Sequence, residues 1–145
     1  MFKLILIPTD GSEISKRVVR DCMKFAKSIG SNVIGLTVIP PYMPYVNAEG
    51  VLVDSREQLD HESVEYANRC LDDIREAAVE FGVRCATFHV IDNNPYEAII
   101  RTAQDRECDL IVMASHGRKG IRGFLLGSET QKVLTHCQIP VLVFR

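Results

Sequence analysis

Long apolar runs are missing from the 145-residue chain. None approaches the roughly 18 residues that span a bilayer, and the run Leu4–Pro8 is cut short by Asp10, which excludes a transmembrane helix. Residues 1–12 supply neither a basic segment, nor an extended apolar stretch, nor a small-residue cleavage site, so no secretory signal is read and a cytoplasmic location is expected. A basic excess is missing too. Seventeen Lys plus Arg stand against 19 Asp plus Glu, a formal charge of −2, and nothing in that balance calls for nucleic acid as a partner. The five cysteines, Cys22, Cys70, Cys85, Cys108 and Cys137, are odd in number and contain no CxxC. That excludes a disulfide framework and a zinc knuckle and leaves buried free thiols as the expectation. Internal repeats and low-complexity tracts are absent. What is present, 46% hydrophobic and 25% charged residues, is material for a sizeable core, and the length suits one domain over residues 1–145.

Four short segments are apolar and rich in β-branched residues: 3–7, 33–39, 109–114 and 140–145. They read as buried strands. Residues 84–91 form a fifth, with both faces mixed, as suits a strand nearer the sheet edge. Between them, Ile14, Val18, Cys22, Phe25 and Ile29 recur at helical spacing up to Gly30, and Leu59, Ser63, Ala67, Leu71, Ile74, Ala78 and Phe81 do so up to Gly82. Each glycine suits the left-handed residue just past a helix end. A third helix is expected from Asn94, with Pro95 in its first turn and Glu97 completing a capping box, and with Tyr96, Ile99, Ile100 and Ala103 facing inward. The last runs from about Gly127–Ser128 to His136, with Val133 and Leu134 as core contacts, and stops before Pro140.

Strands alternating with helices give an α/β fold: a doubly wound five-stranded parallel sheet with helices on both faces. Ligands of such sheets bind beyond the carboxyl ends of the strands, here after Ile7, Val38 and Met113. Residues 40–54, with prolines at 40, 41 and 44, are a long connection that reads equally as a lid or interaction surface and as a disordered spacer.

Two clusters carry chemistry. Pro8-Thr9-Asp10-Gly11-Ser12 sets a carboxylate and hydroxyls at the carboxyl end of the first strand, where they serve either as helix caps or as partners of ribose hydroxyls and an adenine amine. The stretch from Ala114 to Ser128 contains Gly117, Gly120, Gly123 and Gly127 and places Ser128 at a helix start. That is the composition of a phosphate cradle, and also of a structural turn. Arg118, Lys119 and Arg122 favour a polyphosphate or, alternatively, make a solvated basic loop. Two familiar motifs are lacking. The glycines at 117, 120 and 123 are not GxGxxG, and no lysine precedes Ser128 as a P-loop requires, which argues against dinucleotide oxidoreductases and P-loop NTPases.

The first strand ending in Pro-Thr-Asp-Gly-Ser, together with Met-Ala-Ser-His-Gly followed by nine residues and Gly-Ser, resembles the universal stress protein family from Lys3 to Arg145. The motif of its ATP-binding members reads Gly, two residues, Gly, nine residues, Gly, then Ser or Thr. Here Ala114 stands at the first glycine, while Gly117, Gly127 and Ser128 fit. The resemblance implies an adenine nucleotide alpha hydrolase-like sheet of strand order 3-2-1-4-5 and an ATP site. In that site Asp10 and Val38 hold the adenine end, Pro8, Thr9 and Met113 line the pocket, and Gly117, Gly127, Ser128 and Thr130 meet ribose and phosphates. It also brings Ala114, His116 and the backbone N–H of Glu129 to the phosphates, with Mg2+ or Mn2+ held mainly by the nucleotide.

The function so implied is a nucleotide-dependent stress-response regulator or sensor, homodimeric through its C-terminal strand, with hydrolysis slow or absent. No catalytic base is offered, since His61, His89 and His136 fall in helical or strand contexts away from the pocket. Two alternatives stand beside it, a nucleotide-free dimeric interaction module and a slow ATP hydrolase.

Overall fold

The structure, a computed structural model, describes residues 1–52, 55–117 and 126–145. Nine elements alternate: β1 (Leu4–Pro8), α1 (Glu13–Ile29), β2 (Asn32–Ile39), α2 (Arg56–Phe81), β3 (Cys85–Ile91), α3 (Pro95–Asp105), β4 (Leu110–Ala114), α4 (Ser128–His136) and β5 (Val141–Phe144). Every ladder is parallel and the order is β3-β2-β1-β4-β5, as the resemblance implies. Successive strand residues point to opposite faces. Ile5 and Ile7 therefore join Val18, Val19 and Met23 of α1 and Leu71 and Ile74 of α2 in one core, whereas Leu6 joins Ile99 and Ala103 of α3 and Val133 of α4 in the other. Burying each of the Val, Leu, Ile and Met side chains among them stabilises the fold by about 1.5–3 kcal/mol relative to exposure.

Helix ends follow local chemistry where it is strong. Ser12 caps α1, its side chain accepting from Ser15 N, and Gly30 and Gly82 close α1 and α2 at φ 72° and 63°, the left-handed conformation that an L side chain resists. Helix α3 ends in the same way without glycine: Glu107 sits at φ 54° while Cys108 N reaches back to the Ala103 carbonyl. At the start of α3 the expected capping box does not form. The Asn94 side chain makes no cap, and Glu129 of α4 accepts from Tyr96 N at 2.8 Å instead. A full carboxylate on a helix N-terminus outweighs a neutral amide there.

Other expectations change at the margins. Leu134 and Ile29 are 42% and 40% exposed, because each lies at the rim of its helix's apolar stripe. Cys22, Cys70 and Cys108 are buried, but Cys85 and Cys137 are only partly so. The connection after β2 folds onto itself. Val46 bridges Leu52, and the Asn47 carboxamide accepts from Glu49 N and Val51 N, so residues 46–52 are neither extended nor structureless. The start of β1 is pinned across the chain, since Lys3 N and Leu4 N both donate to the Asp109 carboxylate at 2.8 and 3.0 Å.

Candidate functional site

Strands β1 and β4 lie side by side but feed helices on opposite faces of the sheet, so the loops leaving them diverge and a crevice opens at their carboxyl ends. The β1 side of the crevice is rigid. Thr9 N donates to the Leu36 carbonyl at 2.8 Å, extending the β1–β2 ladder, and the Thr9 hydroxyl accepts from Gly11 N at 3.2 Å. Asp10 turns its Oδ1 toward α1, accepting from Ser12 N at 3.0 Å and from the Ser15 hydroxyl at 2.8 Å. Ser12 is thus the cap, and Asp10 is held as an oriented carboxylate.

On the β4 side, Ser115 N donates to Phe144 O at 2.8 Å, Gly127 N donates to Ser115 O, and the Thr130 hydroxyl donates to Ala114 O at 2.8 Å. These bonds bring the start of α4 back over the end of β4, with Gly127, which has no side chain to cap with, as N-cap. The two glycines are needed for space. A Cβ at Gly117 would stand 2.6 Å from Asp10 Oδ2, and one at Gly127 would stand 3.2 and 3.3 Å from Ser115 O and His116 Cα. Gly127 itself has φ −67° and ψ 153°, ordinary for any residue, so close approach rather than torsion explains it. Ala114 is accommodated at the first motif position because it packs against the core on the α1/α2 face.

A cavity of about 680 Å³ results, and all twelve residues singled out from the sequence line it. Its size falls within the roughly 300–1,000 Å³ of small-molecule sites. His116 Nδ1 lies 3.0 Å from the Ser115 hydroxyl, which fixes the ring. Glu129 spends its carboxylate on Tyr96 N and, at 3.0 Å, on Lys132 Nζ. Ser15, Asn93, Pro95, Ile99, Leu126 and Gln131 also line the cavity and were not anticipated. Pro95 carried a usable signal, since every helix that follows a parallel strand starts at this same edge of the sheet. Residues 40–52 are not among the residues that line the cavity. Arg118, Lys119 and Arg122 lie outside the described residues.

Catalytic chemistry is sparse. Neither His61, His89 nor His136 reaches the cavity, and among the described residues no three His, Cys, Asp or Glu side chains cluster to hold a metal. Burial pushes the Cys22 thiol up to about 12 and those of Cys85 and Cys108 up to about 11, so none supplies a thiolate at neutral pH.

The description of the universal stress protein family fits this chain over residues 1–145. The chain belongs to the universal stress protein family. Among its relatives, the universal stress protein MJ0531 of Methanocaldococcus jannaschii is 31% identical over 147 residues, covering 100% of this chain and 83% of its own. The solved structure of MJ0577, a universal stress protein of the same organism, matches with a TM-score of 0.81 and 30% identity over 99% of this chain and 95% of that one. A universal stress protein from Archaeoglobus fulgidus, solved in complex with dAMP, matches with a TM-score of 0.70 over 100% of this chain and 98% of its own. At 16% identity that last likeness concerns the fold alone. Among the described residues of this universal stress protein, no helix is long and apolar enough to cross a membrane.

Proposed function

We propose that this universal stress protein is a cytoplasmic, single-domain ATP-binding regulator whose hydrolysis is slow or absent. The observation that carries the reading is the convergence of an oriented Asp10 carboxylate, the side-chain-free Gly117 and Gly127, and the start of α4 around one cavity. Asp10 and Val38 would take the adenine end beside Pro8, Thr9 and Met113. Gly127, whose N–H already donates to Ser115 O, would leave room for phosphates to approach, and the backbone amides at Ser128, Glu129 and Thr130, aligned with the helix dipole, would take them. Thr130 would do so through its N–H, since its hydroxyl already donates to Ala114 O. Glu129 is compatible with a polyanion because its charge is engaged by Tyr96 N and Lys132.

A divalent cation, Mg2+ or Mn2+, would be held mainly by the phosphates, given the lack of a metal-ligand cluster among the described residues. It would neutralise phosphate charge. Isothermal titration with ATP and magnesium is the test: saturable binding is expected, and heat equal to buffer dilution from folded protein overturns the proposal. Chromatography of the incubated mixture should show ATP unchanged over many binding lifetimes, and enzyme-dependent ADP or AMP would replace the regulator by a hydrolase.

The homodimer belongs to the same proposal. Strand β5 is an edge strand, and the Pro140 and Phe144 carbonyls accept from Ile111 N of β4 and from Ser115 N just past its end. Strand alternation therefore turns the N–H and C=O of Val141 and Val143 outward, where a second copy could pair with them about a two-fold axis.

A further inference from the structure

The carbonyls of the turn that carries Asp10 are gripped from the side of the sheet opposite the cavity. The Thr37 hydroxyl, fully buried, donates to Thr9 O at 3.2 Å, and the Tyr66 hydroxyl of α2 donates to Asp10 O, the next carbonyl along. Thr37 lies between Leu36 and Val38, whose side chains belong to the core on the α3/α4 face, so alternation sends Thr37 to the α1/α2 face. Helix α2 packs on that face too, and it presses on the turn directly: a Cβ at Gly11, itself at φ 74°, would stand 2.7 Å from Cys70 Sγ. None of Thr37, Tyr66 and Cys70 lines the cavity.

Asp10 is therefore fixed twice. Ser12 N and the Ser15 hydroxyl hold its carboxylate from within the turn and α1, while two hydroxyls from β2 and α2 hold the backbone that carries it. Backbone position matters here because Oδ2 stands only 2.6 Å from where a Cβ at Gly117 would be, so the placement of the turn sets the gap between this carboxylate and the loop after β4. We infer that Tyr66, assisted by Thr37, is a positioning residue for the nucleotide site: it never meets the ligand, but sets where Asp10 presents its carboxylate to the nucleoside end. This rests on the ATP reading proposed above. It also predicts which part of the ligand feels the loss, because the phosphate end is built by the β4–α4 side, which neither hydroxyl touches.

The experiment compares wild type, Tyr66→Phe and Thr37→Val in three measurements on the full chain: calorimetric affinity for ATP, calorimetric affinity for inorganic tripolyphosphate, and hydrogen exchange at the Ser12 amide without ligand. Each variant removes one hydroxyl and little else. The expected result is ATP binding weakened about tenfold, as for the loss of one oriented hydrogen bond, with tripolyphosphate affinity unchanged and Ser12 exchange faster. Equal weakening for both ligands would mark a merely structural role and overturn the inference. So would unchanged ATP affinity in both folded variants. Absence of ATP binding by wild type would instead sink the nucleotide reading, and the Ser12 exchange rates would show separately whether the hydroxyls hold the turn.

Discussion

Replacing Gly117 by alanine inserts a methyl group where Asp10 Oδ2 already stands. The Cβ would lie 2.6 Å from that oxygen, and ordinary contact begins at 3.4 Å, so about 0.8 Å must be found. An aspartate has only two side-chain torsions with which to retreat. Any retreat stretches the bonds from Ser12 N and the Ser15 hydroxyl, now 3.0 and 2.8 Å. Hydrogen bonds to a charged acceptor are worth about 1.5–3 kcal/mol each, and losing one of the two in this half-buried place should cost about 1–2 kcal/mol of stability. At about 2–4 °C per kcal/mol for a domain of this size, Tm should fall by about 2–8 °C. ATP affinity should fall at least about tenfold, since 1.4 kcal/mol at the ligand's carboxylate partner is already that factor. Differential scanning calorimetry and ATP titration read the two effects, and a double-mutant cycle with Asp10→Ala isolates the cause. With the carboxylate gone, Gly117→Ala should cost little further stability. An undiminished cost in the Asp10→Ala background, or an unchanged Tm in the single variant, would refute the collision between these side chains.

Glu107→Gly should stabilise the fold by about 0.5–1 kcal/mol, because the position is left-handed and glycine serves the equivalent place in α1 and α2, and a lower Tm would contradict this. Val143→Pro removes an outward N–H without touching the β4 ladder, so it should leave Tm nearly unchanged and shift the proposed dimer to the 16.3 kDa monomer in sedimentation equilibrium; wild type already at that mass would refute the dimer. Val141 is unsuited to this test, as it packs against the α3/α4 core. Asp92 is held below the usual carboxylate range by Asn94 N first and by Arg101 second, so its contribution is present above its unfolded pKa and is lost as pH falls through the folded value. Asp92→Asn should therefore lower Tm at neutral pH and flatten its decline in acid, and parallel pH profiles for the two proteins would disprove it.

What could be read from the sequence was what neighbouring residues decide. Helical spacing up to Gly30 and Gly82, and the β-branched runs that became β1, β2 and β4, depend on the chain's own periodicity and survive in the fold. Strand order came through the family resemblance, because periodicity does not say which strands adjoin. What neighbouring residues do not decide, including the reason for glycine at 117 and 127, is set by partners distant in sequence. Glu129 displaces Asn94 as the partner of the α3 N-terminus from 33 residues beyond Tyr96. Gly117 is required by Asp10, and Gly127 by the backbone at 115 and 116, contacts that only the folded sheet edge creates. Asn93 and Ile99 reach the cavity because α3 starts at this sheet edge and packs against β2 and α4, and Tyr66 matters through a single hydroxyl that no spacing rule flags.

The central place of β1 also sets an order of assembly. Leu4 pairs with Asn32 in β2, one helix away, whereas Ile5 pairs with Leu110 in β4, across a loop roughly four times as long. Two doublings of loop length cost about 1.2 kcal/mol more closure entropy, so β1, α1 and β2 condense first and β4 docks onto a strand already in place. On that order the Asp109 carboxylate, which reaches Lys3 N and Leu4 N in the native protein, would be a late latch, formed after the transition state. Its removal in Asp109→Ala should leave the refolding rate nearly unchanged and accelerate unfolding. A matching fall in the refolding rate would place the β1–β4 seam in the nucleus instead, and would mean that the two halves of the sheet are committed together from the start.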